Sequence, residues 1–189
     1  MSKKLIITFE GIEGSGKSLH IQNAANYLKK RKISFIRIRE PGGSKNAEKI
    51  RKLILNNKSK FNKNTDLLLY LAARSENVEN IIKKNYKKKV ILIDRFTDST
   101  FAYQHYGMGV DKTIIQLINN YLLKKINVSF TFLHIVNEKN LKHRLLKRKL
   151  LNRYDKFQYS FYKKVQKGFI NRVRLNKKKY LTINSNIEI

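Results

Sequence analysis

Leu5-Ile6-Ile7-Thr8-Phe9-Glu10-Gly11-Ile12-Glu13-Gly14-Ser15-Gly16-Lys17-Ser18 passes from an apolar run into a glycine-rich one. The apolar run reads as a buried strand. The eight residues Gly11, Ile12, Glu13, Gly14, Ser15, Gly16, Lys17 and Ser18 fit the pattern G-x-x-x-x-G-K-[ST]. Residues 19–32 follow with Ile21, Ala24, Ala25 and Leu28 at helical spacing, and they end in Lys and Arg. Strand, glycine loop and helix form the context that this pattern needs. Backbone N–H groups of such a loop curl around an anionic phosphate, and glycines allow positive φ and close approach. The helix N-terminus adds its positive dipole end. Lys17 is expected to reach the β- and γ-phosphates of a nucleoside triphosphate, and Ser18 to ligate Mg²⁺.

Outward from this stretch the chain alternates strands and helices. Residues 34–39 read as a strand, 47–55 as a helix, and Thr65-Asp66 as the N-cap of a long helix through Asn85. Residues 90–93 read as a third buried strand, closed by Asp94-Arg95. Helices are expected at 111–123, 138–149 and 154–176, and strands at 130–136 and 180–183. The alternation implies an α/β fold with a mostly parallel sheet and right-handed crossovers. With the glycine loop, the expectation is a P-loop NTPase fold: a five-stranded parallel sheet flanked by helices, one domain over residues 1–189. Asp94, at a strand end beside the loop, is the expected second metal ligand.

The chain has 189 residues, with 42 Lys+Arg against 13 Asp+Glu and a formal net charge of +29. That imbalance invites a nucleic-acid reading, since basic side chains displace counterions from phosphates. The composition argues for a solvated surface instead: 31 Lys against 11 Arg, with 20 Asn, resembles the drift of AT-rich coding sequence. Base readers favour Arg, and the Lys residues here are scattered in doublets and triplets rather than gathered in a tail. The absence of Cys excludes a disulfide scaffold, a cysteine zinc site and a thiol nucleophile. No apolar run approaches a membrane span and no secretory leader opens the chain, so a cytoplasmic protein is expected.

Arginine is the informative cation because it is scarce. Arg39, Arg51, Arg74 and Arg95 fall at strand ends, in loops or on helix faces, and Arg144, Arg148 and Arg153 surround the basic interruption at 147–153. A rigid guanidinium fork grips phosphate in a way Lys does not. Tyr70 stands four residues before Arg74, so both share a helix face.

Residues 7–18, then Arg39-Glu40-Pro41-Gly42-Gly43, then Asp94-Arg95-Phe96-Thr97-Asp98-Ser99-Thr100 with Ala102-Tyr103-Gln104, together resemble the thymidylate kinase family over about residues 4–184. The resemblance implies ATP-dependent phosphorylation of dTMP to dTDP with Mg²⁺, a step in dTTP supply for DNA synthesis. It further implies a homodimer. Arg95 and Arg51 would hold the dTMP phosphate. Tyr70 would stack on thymine and Arg74 would donate to a thymine carbonyl. Ser99, Thr100, Tyr103 and Gln104 would line the thymine and deoxyribose side, with Glu40 near sugar and phosphate.

The loop carries no arginine, and family members of that kind supply one from a mobile lid, here about residues 146–154. Asn152-Arg153-Tyr154-Asp155 matches the lid's end. Arg153 is therefore the first expectation for the lid arginine and Arg148 the second. The sequence departs from the family at Leu19-His20, where Thr-Gln is usual, at Ser44, where Thr is common, and at His134, where a strand-end Asp is usual. A terminal helix after the last strand is expected to be missing. Three other readings are weighed on the sequence: a kinase for another nucleoside monophosphate, a basic nucleic-acid binder on a degenerate P-loop domain, and an inactive relic, against which intact Gly16, Lys17, Ser18, Asp94, Arg95 and Arg153 argue.

Overall fold

A computed structural model describes residues 5–148 and 150–187. Lys149 of the expected lid and the two chain ends of the expected single domain lie outside them. β1 (Ile6–Gly11) runs through the middle of the sheet and is buried along almost all its length. That is why it reads as a continuous apolar run rather than an alternating one. β2 (Phe35–Arg39), β3 (Val90–Asp94), β4 (Phe130–Ile135) and β5 (Tyr180–Asn184) complete five strands in the order β2-β3-β1-β4-β5, with every pairing parallel.

The register fixes the site. Phe9 lies opposite Asp94 on β3, and Gly11 opposite His134 on β4. The carboxyl ends of three strands therefore surround the glycine loop. The chain leaves β1 toward one side of the sheet and returns to β4 on the other, and such a switch point opens a crevice for ligands.

Helices cover both faces. α1 (Lys17–Lys30) buries Ile21 and Ala25 against Phe9, Val90 and Leu92. α2 (Lys45–Leu55) is capped by Ser44, whose hydroxyl accepts from the Ala47 N–H. α3 (Lys63–Asn77) is capped by Asn62, which accepts from the N–H groups of Asn64 and Thr65. The expected cap at Thr65-Asp66 is thus corrected: Asn62 satisfies the orphan donors earlier, and Asp66 falls inside the helix. α3 continues through a π-helical turn (Val78–Ile82) into α4 (Lys83–Asn85), where Val78 and Ile82 pack with Ile6, Ile91 and Ile93 under the other sheet face.

After β3 the chain forms α5 (Thr97–Thr100) and a π-helical segment (Phe101–Gly107), for which the sequence has no regular apolar period. α6 (Lys112–Leu123), capped by Asp111, precedes β4, and α7 (Glu138–Leu146), capped by Asn137, follows it. A 3₁₀ turn (Arg153–Lys156) closes on a reciprocal Asn152–Asp155 capping box. α8 (Tyr159–Leu175) begins only after it, so the long helix expected from Tyr154 starts five residues later. α8 packs Tyr162, Val165 and Phe169 against Ala102 and Tyr103 of the π-helical segment. Among the described residues no helix is long and apolar enough to cross a membrane.

Candidate active site

The loop between β1 and α1 is shaped by what its glycines avoid. Gly11 sits at φ 140°, and a Cβ there would come 2.4 Å from the His134 carbonyl oxygen. Gly16 caps α1 at φ 82° with open space beside it. Lys17 is buried, and its Nζ donates to the carbonyls of Gly11 (3.0 Å) and Ile12 (2.7 Å) and to Ser15 Oγ (3.3 Å). Burial, aided by the Arg95 charge, lowers its pKa to about 7, against the pull of Asp94, Glu13 and Glu10. A cation in that condition gains from any anion that joins it.

Asp94 ends β3 facing the same space, and its Oδ1 is buried with no hydrogen-bond partner among the described residues. An orphaned carboxylate oxygen on a residue that lines the same cavity as Ser18 suits a hard cation that takes its remaining ligands from phosphate and water. No cluster of three or more His, Cys, Asp or Glu able to cage a metal occurs among the described residues.

Arg95 takes φ 64°, a left-handed conformation that costs a non-glycine residue about 1 kcal/mol or more. Glu10 holds it there. Its Oε1 accepts the Phe96 N–H at 2.8 Å and its Oε2 accepts the Ser99 hydroxyl at 2.5 Å. Burial, with the nearby Asp98 charge, raises the Glu10 pKa to about 7. The bend aims Arg95 back at the loop, where Nη1 donates to the Gly11 carbonyl (2.8 Å) and Nη2 pairs with Glu13 (2.9 Å). Burial works against the Glu13 charge, but Arg95 and Lys17 outweigh it and its pKa falls below normal. The Tyr103 hydroxyl donates to the other Glu13 oxygen.

These groups open into a cavity of about 310 Å³. Its lining includes loop residues 13–18, Glu40, Arg51, Tyr70, Arg74, Asp94, Arg95, Ser99, Thr100, Tyr103 and Gln104, so the expected site residues from four separate stretches meet here. Gly11 and Ile12 stand behind the loop as acceptors for Lys17. Arg51 donates to the Pro41 carbonyl at 2.6 Å. Arg74 is fully buried, pairs with Glu40 at 2.8 Å and donates to Asn119 at 2.7 Å. Glu40 is thereby held on Arg74 and Asn77, with burial raising its pKa against the Arg74 charge. Tyr70 meets Tyr154 edge to face, with ring centroids 6.0 Å apart.

The two lid arginines part company. Arg148 lines the cavity and pairs with buried Asp155. Arg153, the first expectation, does not line it: the capping box turns Arg153 toward α3, where it pairs with Asp66.

Sequence reasoning missed Glu10, Asp66, Asn77, Asn119 and Tyr154. Asp66 had a signal, since Asp66, Tyr70 and Arg74 recur at every fourth residue along α3. Glu10 had one too: a carboxylate closing a buried strand needs partners. His134 is fully buried, stacks on Phe9 and meets the His20 ring at a tilt, and burial, then His20 and Lys17, lower its pKa to about 3, which favours the neutral ring.

Comparison with known proteins points one way. Residues 9–189 match the family model for thymidylate kinase. A thymidylate kinase of Acholeplasma laidlawii is 37% identical over 188 residues, covering 98% of this chain and 92% of that one. One from Wolbachia sp. subsp. Brugia malayi is 39% identical over 168 residues, covering 87% and 79%. The crystal structure of thymidylate kinase from Ehrlichia chaffeensis superposes with a TM-score of 0.79 at 30% identity, covering 96% of this chain and 93% of that one.

Proposed function

The chain belongs to the thymidylate kinase family, and from that membership we propose how its residues divide the transfer of a phosphoryl group from ATP to dTMP. The overall reaction is ATP + dTMP → ADP + dTDP. The observation that carries the division of labour is the convergence of Lys17, Arg51, Arg95 and Arg148 on one cavity beside the orphaned Asp94 oxygen. Cations gathered around one cavity are matched to two phosphate-bearing substrates.

The loop N–H groups and Lys17 hold the ATP phosphates. Arg95 and Arg51 hold the dTMP phosphate, with Arg95 exchanging its contact to the Gly11 carbonyl for a phosphate oxygen. Ser18 and Asp94 would hold Mg²⁺, which neutralises charge on the phosphate oxygens when bound. Tyr70 stacks on the base while Arg74 and Gln104 read its edge. Glu40 keeps Arg74 in place, Tyr103 and Ser99 face the sugar, and Thr100 packs beside them. The phosphoryl group moves with little covalent help from protein, so positioning and electrostatics do the catalysis.

Arg148 is the arginine that covers the transferred group when the lid closes. Arg148→Ala is expected to lower kcat by about 100-fold or more while the KM for dTMP stays within about threefold. Arg153→Ala is expected to have the smaller effect on kcat. Steady-state kinetics of both variants decide it, and the reverse order would contradict the assignment.

A homodimer is the proposed assembly. Its support is an outward stripe on α6 of Ile114, Leu117 and Tyr121, large side chains left exposed, with Leu68 exposed on neighbouring α3. The proposed location is the cytoplasm, where the nucleotide substrates are.

A further inference from the structure

Asp66 lies on α3 at 1% exposure, and three donors converge on its carboxylate. Oδ1 accepts from Arg153 Nη2, while Oδ2 accepts from the Tyr154 hydroxyl at 2.5 Å and from Gln104 Nε2 at 3.3 Å. An aspartate carboxylate paired with a guanidinium offers acceptors only, so the Gln104 nitrogen must be the end that faces it. The Gln104 Oε1 is left buried, with no hydrogen-bond partner among the described residues, on a side chain that lines the cavity. Arg74 lines the same cavity and carries donors only. The wall thus presents a donor and an acceptor. A base edge with a carbonyl beside a ring N–H complements it, and thymine and uracil carry that edge. Cytosine carries an amino group and an unprotonated ring nitrogen there, which would set donor against donor and acceptor against acceptor.

We infer that Asp66 is a positioning residue for base choice: by holding the Gln104 nitrogen it turns an oxygen toward the base, admitting a pyrimidine with a ring N–H and excluding cytosine. This rests on the reading of Arg74 and Gln104 as base-binding residues. Asp66 touches no substrate and acts through Gln104. A site whose buried polar groups are left unpaired by the wrong ligand discriminates far more strongly than one that merely lacks a contact.

The test compares kcat/KM for dTMP, dUMP and dCMP in the wild-type enzyme, Asp66→Asn and Asp66→Glu. In Asp66→Asn the new amide can donate to Gln104, which lets Gln104 turn its own NH₂ toward the base. The dTMP-to-dCMP ratio is expected to fall at least about tenfold there and to return to within about threefold of wild type in Asp66→Glu. The dTMP-to-dUMP ratio, set by the methyl group, should hold. Freeing Arg153 slows all three substrates alike, so a uniform loss with unchanged ratios overturns the inference. If Asp66→Asn does not fold, the wild-type enzyme carries the test through exchange of the Gln104 side-chain NH₂ protons, followed by ¹⁵N NMR. Slow exchange, as for a donor held by a buried carboxylate, is expected, and exchange as fast as that of an exposed glutamine overturns it. A wild-type enzyme with no dTMP-dependent activity would instead defeat the underlying reading of the site.

Discussion

Glu10 shows how one buried carboxylate shapes a catalytic loop. It accepts a backbone N–H and a hydroxyl from the bend that aims Arg95, and burial lifts its pKa from 4.5 to about 7. Between those values the folded state keeps a proton that the unfolded state has released. Stability from this group is therefore full below about pH 4.5 and is lost as pH rises toward 7. Glu10→Gln, neutral and of the same shape, removes that dependence. The melting temperature of Glu10→Gln relative to wild type should climb as pH rises through this window, as read by calorimetry at several pH values. A difference between the two proteins that does not vary with pH would contradict the account. At this scale the loop residues were legible in the sequence because their spacing is local. Glu10 and Asp66 left only the faint signals of a strand-end carboxylate and a shared helix face, because their partners come from Ser99, Gln104 and Arg153, far along the chain. The Asn152–Asp155 cap and the pairing of Arg153 with Asp66 set where Arg153 rests, while Arg148 lines the cavity.

At the scale of elements, the π-helical segment (Phe101–Gly107) and α8 work as a pair. The segment carries Tyr103 and Gln104 into the cavity, and α8 presses on it through Gly168. A Cβ at Gly168 would come 2.7–2.8 Å from Cδ2 and Cγ of Tyr106, too near the root of the ring for it to swing away. Gly168→Ala is expected to cost about 1–3 kcal/mol. By the usual scaling this lowers Tm by roughly 2–4 °C per kcal/mol, with a rise in the KM for dTMP as the segment shifts. Thermal unfolding checks this, and an unchanged Tm would mean the contact yields freely. The five strands and most helices were legible from apolar runs and caps. The π-helical segment was not, since its ring does not repeat at 3.6 residues. Nor was the break before α8: Arg153–Lys156 forms a separate turn that local composition does not mark.

For the whole molecule, the charge of +29 bears on association more than on chemistry. Lys residues spread over the surface would repel a second copy, while the exposed stripe on α6 is the face proposed to attract it. Dimerisation is therefore expected to tighten as salt is raised and the Debye length shrinks to about 10 Å at 0.1 M. Leu117→Glu, which puts a charge into the stripe, is expected to give a monomer at any salt. Sedimentation velocity reads both, and a Leu117→Glu dimer would remove α6 from the interface. The charge proposed to serve catalysis is the small part that lines the cavity with the loop: Lys17, Arg51, Arg95 and Arg148.

The most direct measurement is ADP release from ATP and Mg²⁺ by the purified protein over a panel of dTMP, dUMP, dCMP and dAMP. The account predicts release that depends on added monophosphate, with the highest kcat/KM for dTMP and the lowest values for dCMP and dAMP. No release with dTMP, or a preference for dCMP or dAMP, would contradict it.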